Sequence, residues 1–310
     1  MAFAGALFGL EVKIFMVKVS YEQKPYRRVL METYGATCIP SPSNETEAGR
    51  HALAADPTSP GSLGIAASET LEVAATDPEA HMGMSSVLNF TLLHHTVVGL
   101  EVLEQMEMAG HWPDIIIGCV GGGSNFLGLA APFLSIVLRE KRKLRAIAAE
   151  PAACPSLTRG RYAYDFLDSG RIGPVVKMHT LGSNFMPPIF HAGGLRWHGM
   201  APLLSHLKNL GLVEAVALPQ KACFEAGVMF ARCEGIVPAP EANHAVRAAI
   251  DEALKCKEEG TARTILFNLS GHGNFDMQAY ADYFAGKLED CELDQKTLDA
   301  AFAELPRLAA

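Results

Sequence analysis

The stretch Ile115-Ile116-Ile117-Gly118-Cys119-Val120-Gly121-Gly122-Gly123-Ser124-Asn125 decides how this chain folds. Its first six residues read as a strand, the three glycines as a turn, and Phe126 to Ile136 as a helix. Strand, glycine turn and helix form the α/β arrangement that holds a phosphate. Consecutive glycines let several backbone N–H groups face one point, and the helix start adds partial positive charge. Ser124 adds a hydroxyl donor without blocking the approach. The plainer reading is a tight turn packed between strand and helix.

The turn does not match the nucleotide patterns. Phe126 stands where the dinucleotide motif needs its third small residue. Gly123 and Gly128 have P-loop spacing, but Leu129 and Ala130 replace the lysine and hydroxyl that nucleotide phosphates and magnesium require. A compact, mono-phosphorylated ligand fits better.

The chain has 310 residues, 49% of them hydrophobic, enough for one large α/β domain or two smaller ones. The net charge of −8 and the lack of a basic tract argue against nucleic acid as a partner. The one dense cation cluster, Arg139 to Arg145, follows an amphipathic stretch and reads as a solvated helix end. Seven cysteines, an odd number, form no C-x-x-C pair and read as reduced thiols of a cytoplasmic protein. Eleven histidines include the pair His94-His95 but no H-E-x-x-H, so no metal site is expected. The apolar opening, residues 1–19, lacks a basic leader region, and Glu11 and Lys13 interrupt it. It is too short and too charged to span a bilayer.

Strands are expected at Val12 to Val19, Thr37 to Ile39, 114–120, 144–149, 214–218 and 263–269. Helices are expected at 3–9, 26–34, around 45–54, 62–75, 85–109 with a break near His94-His95, 124–138, 219–233, 241–259, 275–287 and 294–305. Residues 152–201 show little periodicity and read as a long irregular stretch of functional kind. The alternation argues for an α/β fold with mostly parallel sheets and helices on both faces. In such folds ligands collect at the C-terminal ends of strands. Both the glycine turn and Ser270-Gly271 lie at such ends.

Four further places carry chemistry. Ser270 can offer its hydroxyl to a ring nitrogen of a ligand whose phosphate sits in the glycine turn; alone, it reads as a turn serine. Glu234 lies at a helix C-terminus, where a carboxylate is unfavourable unless something else holds it. Glu241 reads as an N-cap and first-turn acid of the next helix. The segment between Leu181 and Met200, with His191, Gly193, Gly194, Arg196 and His198, reads as a tight polar loop or as an anion-contacting lid with Arg196 as donor.

The strings SYEQKPYRR (20–28), GSLGIA (61–66), VVGLEV (97–102), PDIIIGCVGGGSN (113–125), HAGGLRWHGMAP (191–202), EGIVPAPEANHAV (234–246) and LFNLSGHGNFD (266–276) together resemble tryptophan synthase β chains, more narrowly their second class. The resemblance runs from residue 1 to about 288. It implies a fold-type II pyridoxal-phosphate enzyme that condenses L-serine with indole to give L-tryptophan. It implies pyridoxal 5′-phosphate as cofactor, a monovalent cation as a further candidate, a homodimer, and no strong case for an α-subunit partner. It implies that Gly121, Gly122, Gly123, Ser124 and Asn125 bind the cofactor phosphate, that Ser270 contacts the ring nitrogen, and that Glu234 lies beside the ring.

The same resemblance marks what the sequence does not contain. The family's Schiff-base lysine follows a histidine in a G-S-H-K type string, and its acid–base glutamate belongs to an E-T-G-A-G-Q type segment; neither string occurs. The glutamate segment falls just upstream of the stretch matched by residue 1, so an incomplete N-terminal domain is expected: a remnant at 1–95 and a C-terminal domain at 96–310. Lys13, Lys18 and Lys24 do not occupy the position of the Schiff-base amine. Gly182-Ser183-Asn184-Phe185 departs from the family, which carries His-Asp between that glycine and phenylalanine. The alternatives are a serine or threonine dehydratase of the same fold, or a catalytically dead relative that only binds phosphate or cofactor.

Overall fold

Short strands alternate with helices along the computed structural model, which describes residues 1–83, 86–291 and 293–306. The chain opens with α1 (Ala2–Phe8), β1 (Lys13–Val17), α2 (Lys18–Gln23), α3 (Pro25–Thr33), β2 (Thr37–Ser41), α4 (Glu47–Ala55) and α5 (Leu63–Thr76). Then come α6 (Asn89–Met108), β3 (Ile115–Cys119), α7 (Ser124–Glu140), β4 (Arg145–Pro151), β5 (Arg161–Phe166) and β6 (Val175–Thr180). The rest is α8 (Pro202–Asn209), β7 (Glu214–Leu218), α9 (Gln220–Glu234), α10 (Ala242–Glu259), β8 (Ile265–Phe267), α11 (Met277–Phe284) and α12 (Gln295–Ala303). Side-chain caps set several starts: Thr46 accepts the Gly49 amide at 3.0 Å and Ser62 accepts the Ile65 amide at 3.1 Å.

β7, β4, β3 and β8 form a parallel sheet in that order, with β3 and β4 inside. Alternate residues of β3 feed two cores. Ile115, Ile117 and Cys119 pack with Ala245 and Ala248 of α10, while Ile116 and Val120 pack with Phe126, Leu129 and Phe133 of α7. Both faces are therefore covered, which is why β3 is apolar without alternation. Each of these isoleucines is fully buried, worth roughly 1.5–3 kcal/mol apiece. β1 and β2 form a separate parallel pair covered by α5. Among the described residues, no helix is long and apolar enough to cross a membrane.

Three expected elements come out differently. The first strand stops at Val17, because the Val19 amide is taken by the Pro60 carbonyl at 2.9 Å and the backbone turns into α2. α6 runs unbroken through His94-His95. Glycines make that close crossing possible: a Cβ on Gly128 would stand 2.7 Å from His95 Cβ, and one on Gly99 would stand 2.5 Å from the Leu129 carbonyl oxygen. Residues 152–201 are not wholly irregular, since β5 and β6 pair antiparallel from Arg161↔Thr180 to Phe166↔Val175. Most of β5 is only half-buried and mixed with charges, so its alternation is weak in the sequence. The ladder is pinned by polar contacts, Thr180 Oγ1 donating to Asp165 at 2.7 Å and the Gly173 amide to Asp168 at 2.7 Å.

Candidate functional site

Gly121, Gly122 and Gly123 are buried at the C-terminal end of β3, and Gly123 takes φ 110° as the N-cap of α7. No side chain caps α7. Among the described residues, the amides of Gly121 through Asn125 donate to no acceptor of the protein. Buried N–H groups left this way are costly, and an acceptor-rich anion is the kind of group that would satisfy them.

The turn is tightly enclosed. A Cβ on Gly122 would stand 2.5 Å from Ser86 Oγ and 2.9 Å from Val87 Cγ1. A Cβ on Gly121 would overlap the Gly194 carbonyl oxygen. The Ala201 amide donates to the Gly122 carbonyl at 2.8 Å, so the segment 193–201 lies along the turn.

Ser270 follows β8, the parallel neighbour of β3. The Asn268 amide extends the ladder to the Ile117 carbonyl at 2.9 Å, and two residues on Ser270 Oγ lies 3.7 Å from Cys119 Sγ. The phosphate-type turn and the hydroxyl therefore meet at adjacent strand ends, joined by Cys119. Glu234 is the exposed last residue of α9, followed by Gly235 at φ 71°. Among the described residues its carboxylate makes no hydrogen bond or ion pair. Its loop nonetheless runs beside that of Ser270, with the Gly273 amide donating to Val237 O at 2.7 Å and the Ala239 amide to Gly271 O at 2.8 Å.

Two sequence readings need correcting. Glu241 caps nothing; its carboxylate accepts the Gly194 amide at 3.0 Å and pairs with Lys24 at 3.3 Å. Arg196 is no anion donor, because it is 3% exposed and donates to the carbonyls of Pro187 and Pro188 at 2.9 and 3.0 Å. Sequence reasoning weighed Lys24 only against the Schiff-base position and passed over Arg27 and Asp276. Lys24 stands 3.0 Å from Asp276, and Arg27 stands 2.7 Å from it. Each resembles an ordinary helix-surface charge in the sequence, and only the fold gathers them beside Gly194.

On the neighbouring strand β4, Glu150 is completely buried and accepts the Leu157 amide, the Thr158 amide and the Thr158 hydroxyl at 2.8, 2.8 and 2.6 Å. Burial raises its pKa to about 7, outweighing those three donors. A carboxyl raised on folding stabilises fully below its unfolded value, about 4.5, and that contribution is lost as pH rises through about 7. Wild type should lose roughly 3 kcal/mol between those limits, and Glu150→Gln should flatten that slope in urea melts across the window. Parallel slopes for the two proteins would refute the assignment.

Residues 1–271 match the model of the pyridoxal-phosphate dependent enzyme family. The chain is 58% identical over 293 residues to tryptophan synthase beta chain 2 of Aquifex aeolicus, covering 94% of this chain and 68% of that one. It belongs to the tryptophan synthase β family of pyridoxal-phosphate-dependent enzymes. Tryptophan synthase beta chain 2 of Pyrococcus abyssi is 55% identical over 94% of this chain and 66% of its own length. This chain thus spans about two thirds of the length of these relatives. A fungal L-serine ammonia-lyase from Rhizomucor miehei has the same fold, with TM-score 0.65 at 14% identity over 93% of this chain and 78% of that one. The family uses pyridoxal phosphate, and the uncapped amides of the glycine turn suit that cofactor's phosphate.

Proposed function

We propose that Gly121, Gly122, Gly123, Ser124 and Asn125 hold the phosphate of pyridoxal 5′-phosphate, that Ser270 meets its ring nitrogen, and that Glu234 borders the ring. The activity served is replacement of the L-serine hydroxyl by indole, giving L-tryptophan. The observation that carries this reading is the meeting of two adjacent strand ends, one bearing free amides and the other a hydroxyl linked through Cys119 at 3.7 Å. When bound, the cofactor supplies an electron sink for the amino acid's Cα. A neutral Ser270 hydroxyl at the ring nitrogen leaves that nitrogen unprotonated and restrains the sink, which favours β-replacement. The glycine amides fix the phosphate, and the segment 193–201 excludes water from its outer side.

The covalent step needs a lysine amine. No Gly-Ser-His-Lys string occurs in these 310 residues, and Lys24, the buried candidate, is engaged by two carboxylates. The reading divides the chain into units 1–95 and 96–310 and places it in the cytoplasm as a homodimer, without reliance on an α subunit. The exposed stripe Phe90, Leu93, Val97 and Leu100 along α6 supports self-association.

The test is a visible-absorbance titration with pyridoxal phosphate, then borohydride reduction and peptide mapping. Saturable binding that inorganic phosphate competes away is the expected result, and no binding at all overturns the reading. A trapped peptide names the amine. Pyruvate from L-serine, with no tryptophan on adding indole, would favour the dehydratase alternative.

A further inference from the structure

Between the phosphate turn and Ser270 runs a chain of side chains whose first hydrogen-bond directions are set by groups that act in one way only. One end of the Asn125 amide faces the Cys119 carbonyl at 3.1 Å; a carbonyl has no proton to give, so that end is the NH2. The other end, Oδ1, accepts the Asn268 NH2 at 2.9 Å, and that same NH2 also reaches the Asn125 carbonyl at 3.2 Å. The two assignments agree. The Asn125 NH2 lies 3.3 Å from Cys119 Sγ, so the sulfur accepts there. Burial pushes the Cys119 thiol up to about 12, so it keeps its proton at neutral pH. Among the described residues the contact left for that proton is the 3.7 Å approach to Ser270 Oγ, a pair in which either atom can donate. An oxygen that accepts from the thiol keeps its own proton for whatever stands beyond it, and Ser270 is exposed.

We propose that Cys119 is a positioning residue: held by Asn125, it donates its S–H to Ser270 and so aims the Ser270 hydroxyl proton at the ring nitrogen of the cofactor. The inference rests on the reading of Ser270 given above and deepens it. With the opposite direction, Ser270 donating to sulfur, only lone pairs would face the ligand, and these suit a protonated ring nitrogen. The direction of one S···O contact therefore selects the protonation state that the site accepts. The same chain ties that choice to Asn125, a residue of the phosphate turn.

Two measurements test this. In the protein without cofactor, the infrared S–H stretch of Cys119 is isolated by subtracting the spectrum of Cys119→Ala. It should lie below that of an unbonded thiol and rise in Ser270→Ala; a band unmoved by Ser270→Ala overturns the proposal. The second compares equilibrium binding of pyridoxal phosphate with that of the analogue whose ring nitrogen is replaced by C–H. Wild type should prefer the nitrogen compound by about three- to tenfold, the worth of one neutral hydrogen bond. Ser270→Ala and Cys119→Ala should both erase the preference, and Cys119→Ser, which still has one proton to give, should restore most of it. A preference that survives Ser270→Ala removes the assignment of Ser270 itself. A preference lost in Ser270→Ala but kept in Cys119→Ala removes only that of Cys119. If neither compound binds, the infrared band alone decides.

Discussion

Replacing Lys24 with methionine should destabilise the protein by about 3–5 kcal/mol, the cost of stripping one partner from a buried charged cluster. Lys24 is 4% exposed, with its ammonium 3.3 Å from Glu241 Oε1 and 3.0 Å from Asp276 Oδ1. Among the described residues no other group partners that Asp276 oxygen. Arg27 compensates the two carboxylates unequally, standing 2.7 Å from Asp276 but 3.9 Å from Glu241. Glu241 would therefore keep the Gly194 amide and the more distant Arg27. The pH dependence separates this account from a simple packing defect. Burial alone would raise the Glu241 carboxyl, but attraction to Lys24 and Arg27, with the Gly194 amide, holds it below its ordinary value. Such a group stabilises fully above its unfolded value, about 4.5, and that stability is lost as pH falls through the lower folded value. Without Lys24 that depression weakens, so the deficit of Lys24→Met should shrink as pH falls below about 4.5, through the range where Glu241 takes up its proton. Urea melts at several pH values measure this; a deficit independent of pH would show that charge is not the cause.

The site is legible in the sequence only where its chemistry is local. Gly121 to Gly123 announce themselves because a tight turn between strand and helix favours glycine, and Gly123 takes φ 110°. Ser270 is legible because it ends an apolar run, and strand ends are where such folds place ligands. Cys119 passes as one more apolar residue of β3, and nothing nearby reveals that Asn125 and Ser270 close around its sulfur. Glu241 misleads for a related reason. Its place at the start of α10 matches a first-turn acid, while its partner Lys24 lies 217 residues away. Contacts of that separation leave no periodicity to read. The β5–β6 ladder was hidden because polar bonds pin it rather than an alternating apolar face.

Gly121→Ala should weaken binding of pyridoxal phosphate by roughly 10²- to 10⁴-fold, as expected if two charge-assisted amide contacts are lost. The added methyl meets backbone: it would overlap the Gly194 carbonyl oxygen and stand 3.1 Å from Leu195 Cα. Gly194 cannot retreat freely, because its amide is held by Glu241, which Lys24 holds in turn. The strain therefore falls on the glycine turn and tilts the amides of the anion seat. Two consequences follow from that route. Inorganic phosphate, which shares only the seat, should lose affinity in step with the cofactor, whereas Ser270→Ala should weaken the cofactor and leave phosphate unchanged. Loosening the segment from the other side with Glu241→Gln should restore part of the binding lost in Gly121→Ala, because both substitutions act on the position of Gly194 and such neighbours are not additive. Calorimetric titration of the single and double variants reads both effects, with thermal melts confirming that each remains folded. A cooperatively folded Gly121→Ala that binds phosphate like wild type would mean the turn is packing alone.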